Sequence, residues 1–173
     1  MRFDDVWMQP WQIGVLTDLA FSARNNGEAI EIGTHQGLSA IPIANAIYPK
    51  TLHVVDHWEG STDFRDYMRI RDNYSIFLDN INEGTQGNID IHKQDWREFA
   101  KQWWERIGFL HLDAEHTRYE VSAQIEDFLP CMPTGSILAG DDYNWPGVRE
   151  GVHEHFRKEQ IEVMRDKLWW VRL

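Results

Sequence analysis

The sequence has a single cysteine, few basic residues and no long apolar run, and each shortage argues against a class of protein. Cys131 has no second cysteine with which to form an intrachain disulfide, which fits a protein of a reducing compartment. No segment approaches the run of about 18 apolar residues that marks a transmembrane helix, and the first residues lack the apolar stretch of a signal peptide. We therefore expect a cytoplasmic protein without membrane partners.

The shortage of basic residues also excludes one kind of partner. Lys and Arg total 17 against 28 Asp and Glu, which gives a net charge of −11. A negative surface repels phosphate backbones, so nucleic acid is not an expected partner. The 173 residues include 42% hydrophobic residues and nine tryptophans, which is enough for a packed core. We expect one domain over residues 1–173, with a helical cover over residues 1–27 that includes a helix from Pro10 to Ala23.

Short apolar runs alternate with segments of helical periodicity along the chain. Strand and helix alternating at this spacing indicate βαβ units, and therefore a doubly wound α/β fold whose parallel sheet is covered on both faces. The last two strands are joined by residues 166–168, too short for a crossover helix, so they must pair antiparallel. The predicted strands are 29–33, 52–56, 89–93, 107–113, 136–140, 161–165 and 169–173, and the predicted helices include 38–48, 96–104, 118–129 and part of 57–84.

Acidic residues follow two of the predicted strands. Thr117 and Glu120 form a capping box that starts a helix, which leaves Glu115 and His116 on the preceding loop. A right-handed crossover brings the ends of two parallel strands to one rim, about 5 Å apart if they are neighbours. Three carboxylates, Asp113, Asp141 and Asp142, would then converge, and Mg²⁺ or Ca²⁺ would relieve their repulsion. Alternatively, each is a turn former or a helix cap.

The turn after the first strand has glycines but no phosphate-binding pattern. Gly33 and Gly37 allow a sharp turn, whereas the G-x-G-x-x-G pattern and the P-loop lysine are missing. Glu31 favours a ligand with positive charge, and Asp56 ends the next strand where an acid can hold ribose hydroxyls. A nucleoside with a cationic tail, such as S-adenosylmethionine, fits both. Alternatively, Glu31 forms a salt bridge at the rim and Asp56 stabilises a turn.

Four stretches together resemble a known enzyme family. EIGTHQGLS, VVDHWEG, FLHLDAEHTRYE and SILAGDDYNWPGVREGVHEHF are similar, in this order, to class I S-adenosylmethionine-dependent methyltransferases. Within them the metal-dependent small-molecule O-methyltransferases, which include macrocin-type sugar methyltransferases, are the most similar group. The resemblance covers most of residues 29–156. It implies a Rossmann-like seven-stranded sheet of order 3-2-1-4-5-7-6 with strand 7 antiparallel.

The resemblance also implies roles for individual residues. It implies a metal site at Asp113, Asp141 and Asp142, where we expect Mg²⁺ because all the ligands are carboxylate oxygens. Where the family commonly has Asp-Gly-Asp, this chain has Asp113-Ala114-Glu115, so the catalytic base would be Glu115 or His116. The residues implied at the cofactor are Glu31, Gly33, Thr34, Gly37 and Ser39 near the methionine part, Asp56 at the ribose, Asp95 near adenine, and Asp113. Asp95 also begins a capping box, which could be its whole role.

The expected reaction is methyl transfer from S-adenosylmethionine to a hydroxyl oxygen of a small molecule, a sugar or a phenol, assisted by a divalent cation. A non-catalytic cofactor-binding or interaction module with the same fold is the alternative. A zinc hydrolase built on His111, Asp113 and His116 is a further one.

Four tryptophans, two near the predicted rim and two in the last strand, have either a binding role or a packing role. Trp58 and Trp145 could stack on an acceptor ring or pack against the protein. Trp169 and Trp170 suit a homo-oligomer interface or the core.

Overall fold

Seven strands form one sheet in the computed structural model, which describes residues 1–60 and 72–173. Their order is β3-β2-β1-β4-β5-β7-β6, and β7 runs antiparallel to both of its neighbours. The remaining pairs are parallel. The predicted α/β fold, strand order and antiparallel hairpin are therefore confirmed. The strands are β1 Glu28–Ile32, β2 Leu52–Asp56, β3 Ile89–Lys93, β4 Ile107–Leu112, β5 Ile137–Gly140, β6 Ile161–Met164 and β7 Leu168–Arg172.

Six α-helices connect the strands in the described part of the chain. They are α1 Pro10–Ala23, α2 Ala40–Ile47, α3 Asn73–Gly84, α4 Trp96–Ala100, α5 Arg118–Phe128 and α6 Pro146–His153. The helix predicted over 96–104 ends at Ala100, because Trp103 N–H donates to the Ala100 carbonyl and closes a tighter turn. Of the segment 57–84, residues 61–71 lie outside the described residues. Within the described ranges, no helix has both the length and the apolarity needed to cross a bilayer.

The helices cover both faces of the sheet, as the period-2 alternation of strand side chains requires. Ile30, Leu110 and Leu138 face one layer, which contains α4, α5 and α6. Ala29, Phe109 and the other strand residues whose side chains point to the opposite face of the sheet pack against α1 and α2. Sheet and helices thus form three layers, and the carboxyl ends of β1, β2, β4 and β5 lie at one edge.

The two tryptophans of β7 belong to the core. Trp169 is 1% exposed and packs in the layer of α4–α6, whereas Trp170 is 8% exposed and packs on the opposite face. Both are covered within a single chain. The interpretation of this pair as an oligomer interface is therefore wrong, and a homo-oligomer stays a prediction without support from these residues.

Gly140 at the end of β5 leaves room for the Trp169 indole. A Cβ atom at Gly140 would lie 2.6 Å from three atoms of that buried ring. We expect Gly140→Ala to lower the free energy of unfolding by about 1–3 kcal/mol, because a packed ring cannot give way. Gly14→Ala is the matched control, since nothing lies within 4 Å of its Cβ position. That change should stabilise α1 by about 0.5–1 kcal/mol. Urea unfolding measures both, and equal effects of the two substitutions would contradict the packing argument.

Candidate functional site

A cavity of about 1400 Å³ opens at the carboxyl edge of the sheet. The ends of β1, β2, β4 and β5 form its floor, and residues 5–8 of the N-terminal segment form part of its wall. Of the residues singled out from the sequence, those that line the cavity are Gly33, Thr34, Ser39, Asp56, Asp95, Asp113, Glu115, His116, Asp141 and Asp142, together with Trp58 and Trp145. The strand ends therefore bring most of the predicted site to one edge, as parallel topology requires.

The glycine turn after β1 depends on close packing between backbones. Gly33 has φ +85°, and a Cβ atom there would lie 2.3 Å from the Asp113 carbonyl oxygen. Gly37 has φ +86° and packs against the Phe77 ring, and it is not among the residues that line the cavity. Both positions therefore need glycine for conformation, and Gly33 also lets the end of β1 approach that of β4.

Asp56 fixes the conformation of the glycine turn. Its Oδ2 accepts hydrogen bonds from the backbone N–H groups of Thr34 at 3.0 Å and His35 at 2.9 Å. Its Oδ1 accepts one from the N–H of Trp58 at 2.6 Å. The carboxylate thus connects the end of β2 to the turn after β1, which agrees with the alternative that Asp56 stabilises a turn. Asp56 also lines the cavity, and its contact with a ribose stays a prediction.

Glu31 and His111 form a fully buried pair inside the sheet. Glu31 Oε1 lies 2.9 Å from His111 Nδ1, and Glu31 Oε2 accepts a hydrogen bond from the Thr34 hydroxyl at 2.7 Å. The described lining of the cavity does not include Glu31, so the structure does not bring it to the predicted ligand site. His111 faces Glu31, and it belongs to neither group of side chains in the described residues that could hold a metal ion together. This argues against a zinc hydrolase that uses His111 as a ligand.

Three carboxylates converge where β4 and β5 end. Asp113, Asp141 and Asp142, here called the acid triad, each offer an oxygen atom within 4.8 Å of the others. Burial, followed by the charges of Asp141 and Asp142, raises the pKa of Asp113 well above its usual value. Burial and Asp142 likewise raise the pKa of Asp141. The predicted convergence is confirmed, and the like charges oppose one another.

Side chains from three segments, two of them distant in sequence, compensate the acid triad. Lys167 Nζ lies 3.3 Å from Asp142 Oδ1 and 3.7 Å from Asp141 Oδ2. Gln12 of α1 donates to Asp141 Oδ1 at 2.6 Å, and His116 Nε2 lies 3.0 Å from Asp142 Oδ2. Although burial alone would raise the pKa of Asp142, the hydrogen bond from His116 and the charge of Lys167 lower it. The site thus holds part of its own counter-charge.

His116 is oriented by its neighbours. Its ring stacks on Trp145, with centroids 4.7 Å apart and planes at 27°, while its Nε2 faces Asp142. Trp58 is held differently, because its Nε1 donates to the His35 carbonyl at 2.7 Å and its ring packs on Tyr74 and Phe77. Both tryptophans therefore pack against protein groups and also border the cavity.

The two predicted helix starts are confirmed by N-cap bonds, but the reciprocal bond of a capping box is present at neither. Asp95 is the N-cap of α4 and accepts a hydrogen bond from the N–H of Arg97 at 2.8 Å. Thr117 caps α5 by accepting from the N–H of Glu120 at 3.3 Å. Asp95 also lines the cavity, so a contact to adenine stays a prediction.

Gln12 and Lys167 at the acid triad, and Trp7 and Trp96 in the cavity wall, are site residues that sequence reasoning missed. Lys167 could have been found from the predicted strand order. In the order 5-7-6, the turn between β6 and β7 lies beside the end of β5, and Gly140 is in register with Trp169, two residues after Lys167. Gln12 carries no local signal, because it meets Asp141 across 129 positions of sequence.

Comparison with known proteins gives one family match. The model of a family described as a methyltransferase domain matches residues 30–143. No curated protein sequence matches the chain significantly.

Solved structures share the fold at low sequence identity. The O-methyltransferase NovP is 16% identical with a TM-score of 0.74, over 93% of this chain and 79% of NovP. The calicheamicin methyltransferase CalS11 is 15% identical with a TM-score of 0.70, over 95% of this chain and 80% of CalS11. An O-methyltransferase from Bacillus cereus, solved in complex with SAH, is 16% identical with a TM-score of 0.71, over 99% of this chain and 84% of that one.

The pKa shifts within the acid triad predict stability changes of opposite sign. Asp113 has a raised pKa in the folded state, so its contribution is favourable below about pH 4 and is lost as the pH rises through the folded value. Asp113→Asn should therefore stabilise the metal-free protein at pH 8, by about 1 kcal/mol, and have little effect near pH 4. Asp142 has a lowered pKa, so its contribution is present above about pH 4 and is lost on acidification.

Asp142→Asn is the matched comparison and should destabilise the protein at pH 8 by a similar amount. Urea unfolding in EDTA at pH 4.5, 6 and 8 measures both variants. If Asp113→Asn instead destabilises the protein at pH 8, the ionised Asp113 carboxylate makes favourable contacts that outweigh its burial and its repulsion by Asp141 and Asp142.

Proposed function

The chain belongs to the methyltransferase-domain family, and we propose that it transfers a methyl group from S-adenosylmethionine to a hydroxyl oxygen of a small molecule, assisted by a divalent cation. One observation carries this proposal. A single cavity joins the glycine turn of β1 to the acid triad and His116 at the ends of β4 and β5. Cofactor and acceptor could therefore meet at one rim.

The cofactor side of the cavity has the groups that a nucleoside with a cationic tail needs. Thr34 and Ser39 offer hydroxyls, and Asp56 and Asp95 offer carboxylates. The glycine turn after β1 contributes no lysine or arginine to the described lining, as expected for a ligand without a pyrophosphate, whereas Lys93 and Arg97 line the cavity beside Asp56 and Asp95. These residues fit the cofactor, and the cofactor-bound neighbour of the same fold supports the same assignment.

The acid triad fits a hard divalent cation such as Mg²⁺. Its oxygen ligands are of the type that Mg²⁺ prefers. Burial, and after it the charges of neighbouring carboxylates, raises the pKa of Asp113 and of Asp141, and a bound cation would counter both effects. Lys167 is the obstacle, because its ammonium already lies 3.3 Å from Asp142 and 3.7 Å from Asp141. A cation would therefore bind only if Lys167 moves aside or shares the carboxylates.

The chemistry needs a base and an oriented acceptor. When bound, the cofactor supplies an electrophilic methyl group, and the cation supplies positive charge that lowers the pKa of the acceptor hydroxyl. In this proposal His116 keeps a proton on Nε2, which faces Asp142, and accepts the hydroxyl proton at Nδ1, because the carboxylate stabilises the imidazolium. Nδ1 is buried, so the side chains around it must move for the acceptor to reach it. Glu115 lines the same stretch of the cavity and is the alternative base. Holding the acceptor oxygen in line with the methyl group supplies much of the acceleration.

The proposed acceptor is a sugar or a phenol. Four tryptophans, Trp7, Trp58, Trp96 and Trp145, border the cavity, and indole rings stack well on sugar faces and on aromatic rings. The likeness to CalS11, described as a TDP-rhamnose 3'-O-methyltransferase, supports the sugar. The volume of about 1400 Å³ exceeds the usual 300–1,000 Å³ of a single small-molecule site, so cofactor and acceptor can be accommodated together.

Methyl transfer itself is the direct test. Purified protein with labelled S-adenosylmethionine should methylate members of a panel of sugars and phenols, and calorimetry should detect S-adenosylhomocysteine but not NAD. His116→Gln should lower kcat by about 100-fold or more while cofactor affinity stays constant, because only proton removal is lost. Glu115→Gln should have a smaller effect, and His155→Gln, whose ring contacts Ser122, should have none. NAD binding without either methyl cofactor would overturn the proposal, whereas cofactor binding without turnover would favour the non-catalytic module.

The role of the cation can be tested through Lys167. Mg²⁺ should raise the Tm of the wild type, because it binds the folded state, and Asp141→Asn should diminish that rise. Lys167→Met should increase Mg²⁺ affinity by about 10-fold or more, since it removes a like charge from the site. Lys101→Met is the control, because Lys101 pairs with Glu98 on the surface. Full turnover in excess EDTA, with no Mg²⁺ response in either lysine variant, would exclude the cation.

A further inference from the structure

A second group of metal-ligand side chains lies on the outer part of the sheet, apart from the cavity. His53 of β2 is in register with Asp90 of β3, and His92 follows two positions along β3. Because strand side chains alternate, all three project from the same face of the sheet. The described lining of the cavity includes none of them. This group, called the edge cluster, is therefore independent of the proposed methyl-transfer site.

The three ligand atoms of the edge cluster form a nearly equilateral triangle. His53 Nδ1 lies 3.2 Å from His92 Nε2, and Asp90 Oδ2 lies 3.4 Å from each of these nitrogens. A tetrahedral zinc ion with ligands at about 2.0–2.1 Å separates its ligand atoms by about 3.3–3.4 Å. The observed triangle matches one face of that tetrahedron.

With Asp90 ionised, hydrogen bonds alone do not account for this triangle. If one nitrogen carries a proton and donates it to the other imidazole, the accepting nitrogen faces Asp90 with a lone pair against a carboxylate. If both nitrogens carry protons and donate to Asp90, the two N–H groups oppose each other across 3.2 Å. At least one edge is repulsive in either arrangement, whereas a central cation attracts all three atoms.

The surroundings of His53 also resemble those of a metal ligand. Its second nitrogen, Nε2, lies 3.8 Å from Glu28 Oε2, and a carboxylate facing the far nitrogen of a metal-bound histidine is a common orienting arrangement. Trp103 packs edge-on to His53 and Phe99 packs on His92, with ring centroids 4.8 Å and 4.6 Å apart. The rings restrict both imidazoles, while Asp90, with 56% of its side chain exposed, leaves an entry from solvent.

We propose that His53, Asp90 and His92 bind one zinc ion, with a fourth position open to water and with Glu28 orienting His53. Two imidazoles and one carboxylate suit Zn²⁺ far better than Mg²⁺, which prefers oxygen ligands. The ion would clamp β3 to β2. Such a clamp has a physical use here, because β3 is the terminal strand of the sheet and none of its five residues is fully buried, whereas all six residues of β4 are.

Metal binding to the chelator-treated, desalted protein tests this proposal. Calorimetry with Zn²⁺ in excess Mg²⁺, which is expected to occupy the acid triad, should give one site per chain. Co²⁺ under the same conditions should give the visible absorption of a low-coordinate nitrogen site, and Zn²⁺ should raise the Tm. His53→Gln and His92→Gln should each weaken Zn²⁺ binding by about 100-fold or more, beyond the roughly 10-fold expected for the orienting residue in Glu28→Gln. The acid-triad variant Asp141→Asn and the histidine control His155→Gln should leave Zn²⁺ affinity unchanged.

Two results would overturn the zinc site. One is a wild-type protein that binds no Zn²⁺ in the micromolar range. The other is Zn²⁺ affinity that persists in both histidine variants or falls in Asp141→Asn, because the ion would then be bound elsewhere. Circular dichroism of the metal-free variants separates lost ligands from lost folding. If either histidine variant unfolds, Asp90→Asn provides the same test through a largely exposed side chain, and unchanged affinity there would also reject the proposal.

Discussion

The repulsion among three carboxylates at the ends of β4 and β5 is the constraint around which the cavity is arranged. Parallel pairing of these strands brings the acid triad together, and a buried cluster of like charge is stable only with compensation. The compensating groups come from the first helix, the loop after β4 and the turn of the last hairpin, as Gln12, His116 and Lys167. The charge balance of one rim therefore draws on side chains from the first helix and from the last hairpin.

Topology was predictable from the sequence because it follows from local patterns, whereas long-range partners were not. Alternating strands and helices imply a parallel sheet, and the carboxyl edge of that sheet collects Asp56, Asp113 and Asp141 without further information. The seven-stranded order came from family resemblance. Gln12 could not be assigned, because an amide in an amphipathic helix has no signature of its partner. Trp169 and Trp170 were left open, because adjacent strand residues face opposite sides, and a sheet covered on both faces buries both.

Glu31 shows how a polar residue in a buried strand should be interpreted. Its carboxylate suggested a cationic ligand, yet it pairs with His111, the residue directly in register on β4. Glu31 lies between Ile30 and Ile32, and His111 lies between Leu110 and Leu112. Two polar residues at matching positions of neighbouring buried strands satisfy each other at low cost. Asp56 likewise bonds three backbone N–H groups before any ligand is considered. The acids next to the glycine turn thus rigidify it, and a rigid turn is a prerequisite for binding without reordering.

The two clusters of metal-ligand type differ in how the protein itself balances their charge. The acid triad has Lys167 within ion-pair distance, so a cation there must compete with an internal ammonium. The ion pairs described for Asp90 involve only His53 and His92, which are charged only when protonated, and the nearby Glu28 adds a further negative charge. The described residues therefore give the edge cluster no permanent positive charge that a metal ion would have to displace. Imidazole ligands favour a borderline metal such as Zn²⁺, and carboxylate ligands favour a hard metal such as Mg²⁺. The edge cluster and the acid triad would therefore prefer different metals, although both lie on the same sheet.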